Sequence, residues 1–360
     1  MKLNMKKIGL ISLSFVLMLC GIFAAAGCSK KNSTDGISKT ETDGSKTKVS
    51  EKINVVTTVY PVYDWIKNIC GDAANVEYII GCGTDLHSFT PSAKDIIKVT
   101  GKETDLFVYI GGESDFWIEK ISDRFEKNEV TALNLMKENK SVLVCEEEHE
   151  HHHHHDGEHC EECEHEHEHE EGVATDCTDC TDDHEEEFDE HIWLSVKRAP
   201  VFVNSICEKL CRIDSKNAEV YKKNAEQYCK ELAKLDKGFD DAVKNAKDKT
   251  IILADRNPFR YLSEDYGLNI VAAFHGCSAE TEASFETITR LADEANEHKV
   301  SFVLRTDTGT DEIANTVIKN CEECKVAIMI LNGMQGPSME GKSYLDIMRG
   351  NVKVITALLN

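Results

Sequence analysis

Imidazole, carboxylate and thiol side chains crowd into one stretch of this chain, and together they are the donor set of a transition-metal cation. The stretch begins EEEHEHHHHHDGEHCEECEHEHEHEE at Glu146 and closes on DEHIWLS. Between Glu146 and Glu190 there are 22 Asp and Glu, no Lys or Arg, and ten His before His184. The whole chain carries a formal charge of −24, so everything outside this segment comes to only about −2. Such an acidic run repels nucleic acid and anionic lipid and attracts cations. It has almost no apolar side chains to offset the entropy of ordering, so residues 146–187 read as a disordered loop. His151, His152, His153, His154, His155, His159, His165, His167 and His169 recur at several spacings, which preorganise no single geometry. They are expected to hold several ions loosely, raising local metal concentration or sensing supply. The plainer alternative is a solvated low-complexity tract. Cys160/Cys163 and Cys177/Cys180 add soft ligands to the loop or form local disulfides, and Cys321/Cys324 is a third such pair.

Three histidines outside the loop are separate candidates. His87 lies in GTDLHSFTPS, His191 in DEHIWLS, and His275 in AAFHGCSAE. Taken alone, His87 and His191 are each more often an ordinary hydrogen-bonded loop residue than a ligand, while for His275 the two readings weigh equally. What positions them is an alternation of short β-rich runs and helical stretches. INVVTTVY, NVEYII and DLFVYI read as strands. Pro61 opens a helix that Gly71 stops, Ser92 and Asp95 form a capping box before AKDIIKVT, and SDFWIEKISDRF reads as one helix. Continuous apolar strands separated by helices indicate a parallel sheet covered on both faces. The first lobe therefore spans about 52–195, with His87 at the carboxyl end of its second strand.

Residues 196–247 change character. Asp214 looks like an N-cap, and Val220, Tyr221, Tyr228, Leu232, Leu235 and Phe239 follow with helical periodicity and no proline. About 32 residues of helix would extend about 48 Å, a rigid spine rather than a hinge. Cys207, Cys211 and Cys229 read as small packing residues there. From 248 to 360 the α/β rhythm returns with TIILA, LNIVAAF, VSFVLR and VAIMIL as strands. The fold class is thus α/β, two open parallel-sheet lobes joined by one long rigid α-helix. The carboxyl ends of their strands face each other, where open α/β sheets bind ligands.

The N-terminus sets the compartment. Lys2, Lys6 and Lys7 precede an apolar run from Ile8 to Ala26 that ends AAAGC. Cysteine directly after Ala-Gly resembles a bacterial lipobox, with residues 1–27 as signal peptide, Cys28 lipidated and 28–51 a flexible tether. An uncleaved anchor is the alternative. Either places the remainder on the extracytoplasmic face of a bacterial membrane. Of 15 cysteines, 13 remain after Cys20 and Cys28, an odd number that cannot all pair internally.

Four motifs together carry a family resemblance: D-L-H-x-F-x-P-S, G-G-E-S-D-F-W-I, D-E-H-I-W-L-S after a His-rich loop, and Y-L-D-I-M-x-x-N-V. Over about residues 52–360 they resemble the bacterial ABC-transporter solute-binding proteins for zinc or manganese (ZnuA/TroA-like). The resemblance implies a helical-backbone metal receptor that holds one ion between its lobes and delivers it, as a monomer, to a permease and its ATPase. It places His87 and His191 at the first two imidazole ligands and makes Asp307 the expected carboxylate. The expected third imidazole is missing. Arg256, in ADRNPFRYL, stands in its place, and a guanidinium has no lone pair to give. His275 is the candidate replacement. Two imidazoles and a carboxylate suit Zn²⁺, and Mn²⁺ if more oxygen ligands join. The rival readings are a manganese receptor of the same type, a secreted metallohydrolase, and a metal-storage or adhesin lipoprotein. No H-E-x-x-H outside the low-complexity loop supports the hydrolase, so an enzyme is not expected.

Overall fold

The computed structural model describes residues 52–145, 187–276, 282–322, 326–336 and 341–360. Cys28, the two cysteine pairs of the acidic stretch and all nine of its singled-out histidines lie outside the described residues. So does Cys324.

The first sheet is built from β1 (Ile53–Thr57), β2 (Ala74–Tyr78), β3 (Leu106–Tyr109) and β4 (Thr131–Asn134), all parallel, in the order β2-β1-β3-β4. The second comprises β5 (Thr250–Arg256), β6 (Asn269–Phe274), β7 (Phe302–Arg305) and β8 (Ala327–Ile330), again parallel, in the order β6-β5-β7-β8. The two orders are the same, so each sheet reverses its strand order at the corresponding place. In open parallel sheets that reversal is where ligand crevices form. β4 was not among the expected strands. Its TALN run is short and polar at its end, and it pairs only with β3, as an edge.

Helices α1 (Tyr60–Cys70), α2 (Ala93–Thr100), α3 (Ser122–Asn128) and α4 (Leu135–Glu138) belong to the first lobe. Pro61 opens α1 and Gly71 ends it, and Ser92 and Asp95 make the reciprocal capping box of α2. The stretch 114–125 is not the one helix expected. It breaks into two short 3₁₀ turns, Glu113–Asp115 and Glu119–Ile121, before α3 begins. Here side chains take over the backbone: the Ser114 amide donates to Glu190 Oε2 at 3.1 Å, and Asp115 Oδ2 accepts from the Gly111 amide at 3.0 Å.

Two helices, α5 (Ala199–Ile213) and α6 (Ala218–Val243), lie between the sheets in sequence. At 26 residues α6 is shorter than expected, about 39 Å at 1.5 Å per residue. Asp214 is not its N-cap. The Asp214 carboxylate instead accepts from Tyr221 Oη at 2.5 Å and Asn217 Nδ2 at 2.8 Å, across a 3₁₀ turn that consumes the first residues. Tyr221, Ala225, Tyr228, Leu232, Leu235 and Phe239 form the buried stripe, with alternating spacings of four and three. Val220 falls one position off it and is 45% exposed. Cys207 is buried between α5 and α6, and burial pushes its thiol up to about 12. Cys207, Cys211 and Cys229 are unpaired, with the first two sulfurs 4.0 Å apart.

The second lobe adds α7 (Arg260–Tyr266), α8 (Phe285–Glu297), α9 (Asp311–Asn320) and α10 (Tyr344–Leu359), the last three capped by Ser284, Thr310 and Ser343. Alternation along the strands sends side chains to different cores. Val55, Leu106 and Val108 of the first sheet, with Ile251, Leu253 and Leu304 of the second, enter one continuous cluster with α1, α5, α6 and α10. Their neighbours Val56 and Phe107 face a small outer cluster of the first lobe. Ile252 and Val303 face the corresponding cluster of the second. The lobes are thus fused through a shared core. Among the described residues no helix is long and apolar enough to cross a membrane.

Candidate metal centre

Two of the three candidate histidines, His87 and His191, are set by the same local device. The sequence reads Asp-x-His twice, Asp85-Leu86-His87 and Asp189-Glu190-His191. In both, the aspartate Oδ1 accepts from the histidine backbone amide, at 3.0 Å for His87 and 2.7 Å for His191. This Asx turn fixes the backbone, while Leu86 is buried at 2% and anchors the first loop. Trp193 anchors the second: its indole lies 5.3 Å from the His191 ring and donates to the Gly333 carbonyl at 3.0 Å.

The rings are held by acids. His191 is wholly buried, and its Nδ1 lies 2.9 Å from Asp189 Oδ1. His87 is partly exposed, and its Nδ1 lies 3.0 Å from Glu190 Oε1 and 3.2 Å from Ser114 Oγ. Acceptors on Nδ1 set a tautomer in which Nε2 carries the lone pair, the usual arrangement behind a metal-binding imidazole. The ring centroids stand 5.2 Å apart. Glu190, only 1% exposed, links the elements, because Ser114 Oγ also donates to its Oε1 at 2.5 Å. Burial raises the Glu190 carboxyl, but the His87 hydrogen bond, the His191 charge and Ser114 outweigh it, leaving it below its ordinary value. Gly112 makes room for this: a Cβ there would meet Glu190 Oε2 at 2.6 Å. Sequence reasoning passed over Glu190, although its place between Asp189 and His191 in a repeated Asp-x-His was the available signal.

His87 and His191 open onto a cavity of about 20 Å³ lined from the second lobe by Arg256, Thr306, Asp307 and Gly333. That volume is near the size of one water or one ion and too small for an organic solute. His87 follows β2, and the second-lobe lining segments lie at or just after the carboxyl ends of their strands, whereas His191 enters from the segment before the 192–194 turn. Asp307, after β7, turns its carboxylate onto loop amides, with Gly333 donating to Oδ1 at 2.7 Å and Gly336 to Oδ2 at 2.6 Å. Burial nonetheless raises its carboxyl above the ordinary value, the amide bonds opposing. His275 is exposed and outside the cavity lining, whereas its neighbour Gly276 lines it. Arg256, at the end of β5, reaches across to Asp85 of the first lobe at 2.8 Å. Among the described residues no three His, Cys, Asp or Glu side chains already form a metal-holding group.

Comparison with known proteins places these features in context. The family model described as "Zinc-uptake complex component A periplasmic" (ZnuA) matches residues 55–358. The chain is 32% identical over 355 residues to the zinc-binding lipoprotein AdcA of Streptococcus pneumoniae, covering 98% of this chain and 60% of that protein. It is 30% identical over 339 residues to the high-affinity zinc uptake system protein ZnuA of Bacillus subtilis, covering 93% of this chain and 96% of the relative. The chain thus spans only about 60% of the length of the AdcA relatives it matches. The Zn(II)-bound ZnuA-like domain of S. pneumoniae AdcA superimposes with a TM-score of 0.64 at 28% identity, covering 86% of this chain and 99% of that one.

Proposed function

The chain belongs to the ZnuA family of zinc-uptake components, and from that premise we propose that it is a receptor that captures Zn²⁺ between its lobes for import. In this reading the family's role is solute binding and not catalysis. The observation that carries it is the pair of acid-backed imidazoles, His87 and His191, opening on an ion-sized cavity at the strand ends. Tetrahedral zinc needs two further donors. Asp307 is the protein carboxylate on that cavity, and water completes the set. Two nitrogens with few oxygens favour Zn²⁺ over Mn²⁺. The names of the relatives support the same cargo.

The receptor hands its ion to an ABC permease driven by its ATPase, and a lipid on Cys28 holds it at the extracytoplasmic face. The His-rich stretch 146–187 gathers ions and so raises the supply to the cleft. Calorimetric zinc titration of the chain, and of a version lacking 146–187, separates the two roles. Sub-micromolar binding survives the deletion and is lost in His87→Ala and His191→Ala. Loss of all such binding on deletion alone would move the cargo site out of the cleft.

A further inference from the structure

The first lobe offers two prepared imidazoles, and the second lobe presents a guanidinium to the same cavity. Arg256 is 23% exposed and Asp85 28%, so their ion pair is shielded from much of the solvent that weakens surface pairs. It spans the cleft, joining the end of β5 to the loop after β2. From the same loop as Asp85, the Gly83 amide donates to the Gln335 carbonyl at 3.0 Å, a further bond between the lobes besides that of Trp193 to Gly333. The Asp85 carboxylate is doubly committed, with Oδ2 on Arg256 and Oδ1 on the His87 amide. Burial raises the Asp85 carboxyl, but the Arg256 hydrogen bond and charge, with His87, bring it below its ordinary value.

We propose that Arg256 is a resident surrogate cation that latches the empty cleft through Asp85, sets the receptor's zinc affinity, and is displaced when the ion enters. The inference rests on the zinc-receptor reading above. A guanidinium stays charged and cannot ligate, so a divalent ion on His87 and His191 meets it as a like charge in a space sized for one ion. Both cations compete for one anion. When zinc arrives, Asp85 turns its field to the metal, Arg256 withdraws, and the Gly83–Gln335 bond from the same loop loosens. The receptor then distinguishes loaded from empty by breaking a cross-cleft contact, and its affinity is held below what the same imidazoles would give beside a neutral residue.

The test uses the full chain in zinc–chelator buffers, read by tryptophan fluorescence because Trp193 lies against His191. Hydrogen exchange at the Gly83 amide reads the latch independently. Arg256→Met and Arg256→Gln are expected to bind zinc at least tenfold more tightly than wild type, while Arg256→Lys stays within about threefold because it keeps the charge. The Gly83 amide is expected to exchange faster in both neutral variants without metal, and in wild type once zinc is bound. Equal or weaker binding by both neutral variants overturns the proposal, as does Gly83 exchange that ignores Arg256. If wild type gives no cleft signal with zinc, the receptor reading falls, and the metal-free Gly83 exchange still decides whether Arg256 latches the lobes.

Discussion

Glu190 is the residue whose alteration tests the site most directly. Glu190→Gln keeps the side-chain shape and an oxygen for the His87 Nδ1 proton, but removes the charge that sits 3.0 Å from it. Hydrogen bonds to charged groups contribute about 1.5–3 kcal/mol and neutral ones about 0.5–1.5. The bond from His87 therefore loses about 1–1.5 kcal/mol. A metal on Nε2 makes the Nδ1 proton more acidic, so the loss is felt more in the loaded state than in the empty one. Together with the lost attraction for a divalent ion, the expected weakening is about 10–100-fold in zinc Kd, the range usual for residues that orient a ligand from behind.

Glu190→Ala behaves differently. It strands the Ser114 amide and hydroxyl, which Glu190 now accepts at 3.1 and 2.5 Å. An unsatisfied buried group costs about 1–3 kcal/mol, so this variant also loses thermal stability without metal. Chelator competition gives the affinities, and melting curves with and without zinc give the stabilities. If Glu190→Gln folds normally and its zinc Kd stays within twofold of wild type, the acid-backed imidazole pair is not the zinc site.

Gly112→Ala puts a methyl group against the Glu190 carboxylate and is expected to reproduce the zinc defect of Glu190→Gln, with a lower melting temperature besides; unchanged titrations would show that Glu190 tolerates displacement. Leu232→Ala, at a fully buried position of α6, should cost about 2–5 kcal/mol in urea unfolding, and a cost under 1 kcal/mol would mean the spine is loosely packed. Asp64 is raised to about 6 from 3.8, chiefly by burial, against hydrogen bonds that favour its charge. The native state thus binds more protons than the unfolded chain across that window, and stability falls as pH rises from about 4 to 6. Asp64→Asn should flatten this slope and gain about 2–3 kcal/mol at pH 7, less what the Tyr228 hydrogen bond contributes; identical slopes for both proteins would contradict it.

How much of this was legible in the sequence differs by residue. The strands of the second lobe were readable because β5 and β7 are buried on both faces and so appear as unbroken apolar runs. β4 escaped because four residues of an edge strand, half of them polar, leave no period. The helix expected over 114–125 fails for a related reason. Its propensity is sound, but the Ser114 amide and the Asp115 carboxylate are claimed by Glu190 and the Gly111 amide, partners invisible to local pattern. Asp214 likewise has the composition of a cap, yet Tyr221 one helical turn into α6 takes its carboxylate. In the site, His87 and His191 could be named from flanking motifs, and Arg256 could be seen to be chemically wrong for a ligand. That Arg256 meets Asp85, 171 positions away, needed the fold.

The shared core constrains how the proposed receptor could work. Swinging the lobes apart as rigid bodies would tear a single cluster that runs from Val55 through Leu232 to Leu253 and Tyr344. Fully burying one large apolar side chain contributes about 1.5–3 kcal/mol, so parting a dozen would cost about 18–36 kcal/mol, more than the roughly 8–12 kcal/mol that micromolar to nanomolar capture of one ion returns. Trp193 tightens this further, since its indole bonds Gly333 of the second lobe and its carbonyl accepts from Tyr344 Oη at 2.7 Å. Any movement on binding is therefore expected at the strand ends and the segments just beyond them, where Asp85, Arg256, Asp307 and Gln335 sit. These are also the residues whose contacts cross the cavity or brace its wall. Under the proposed zinc-receptor reading, a permease that tells loaded from empty would have to read changes of this local size, and the proposed release of Asp85 from Arg256 is one of them.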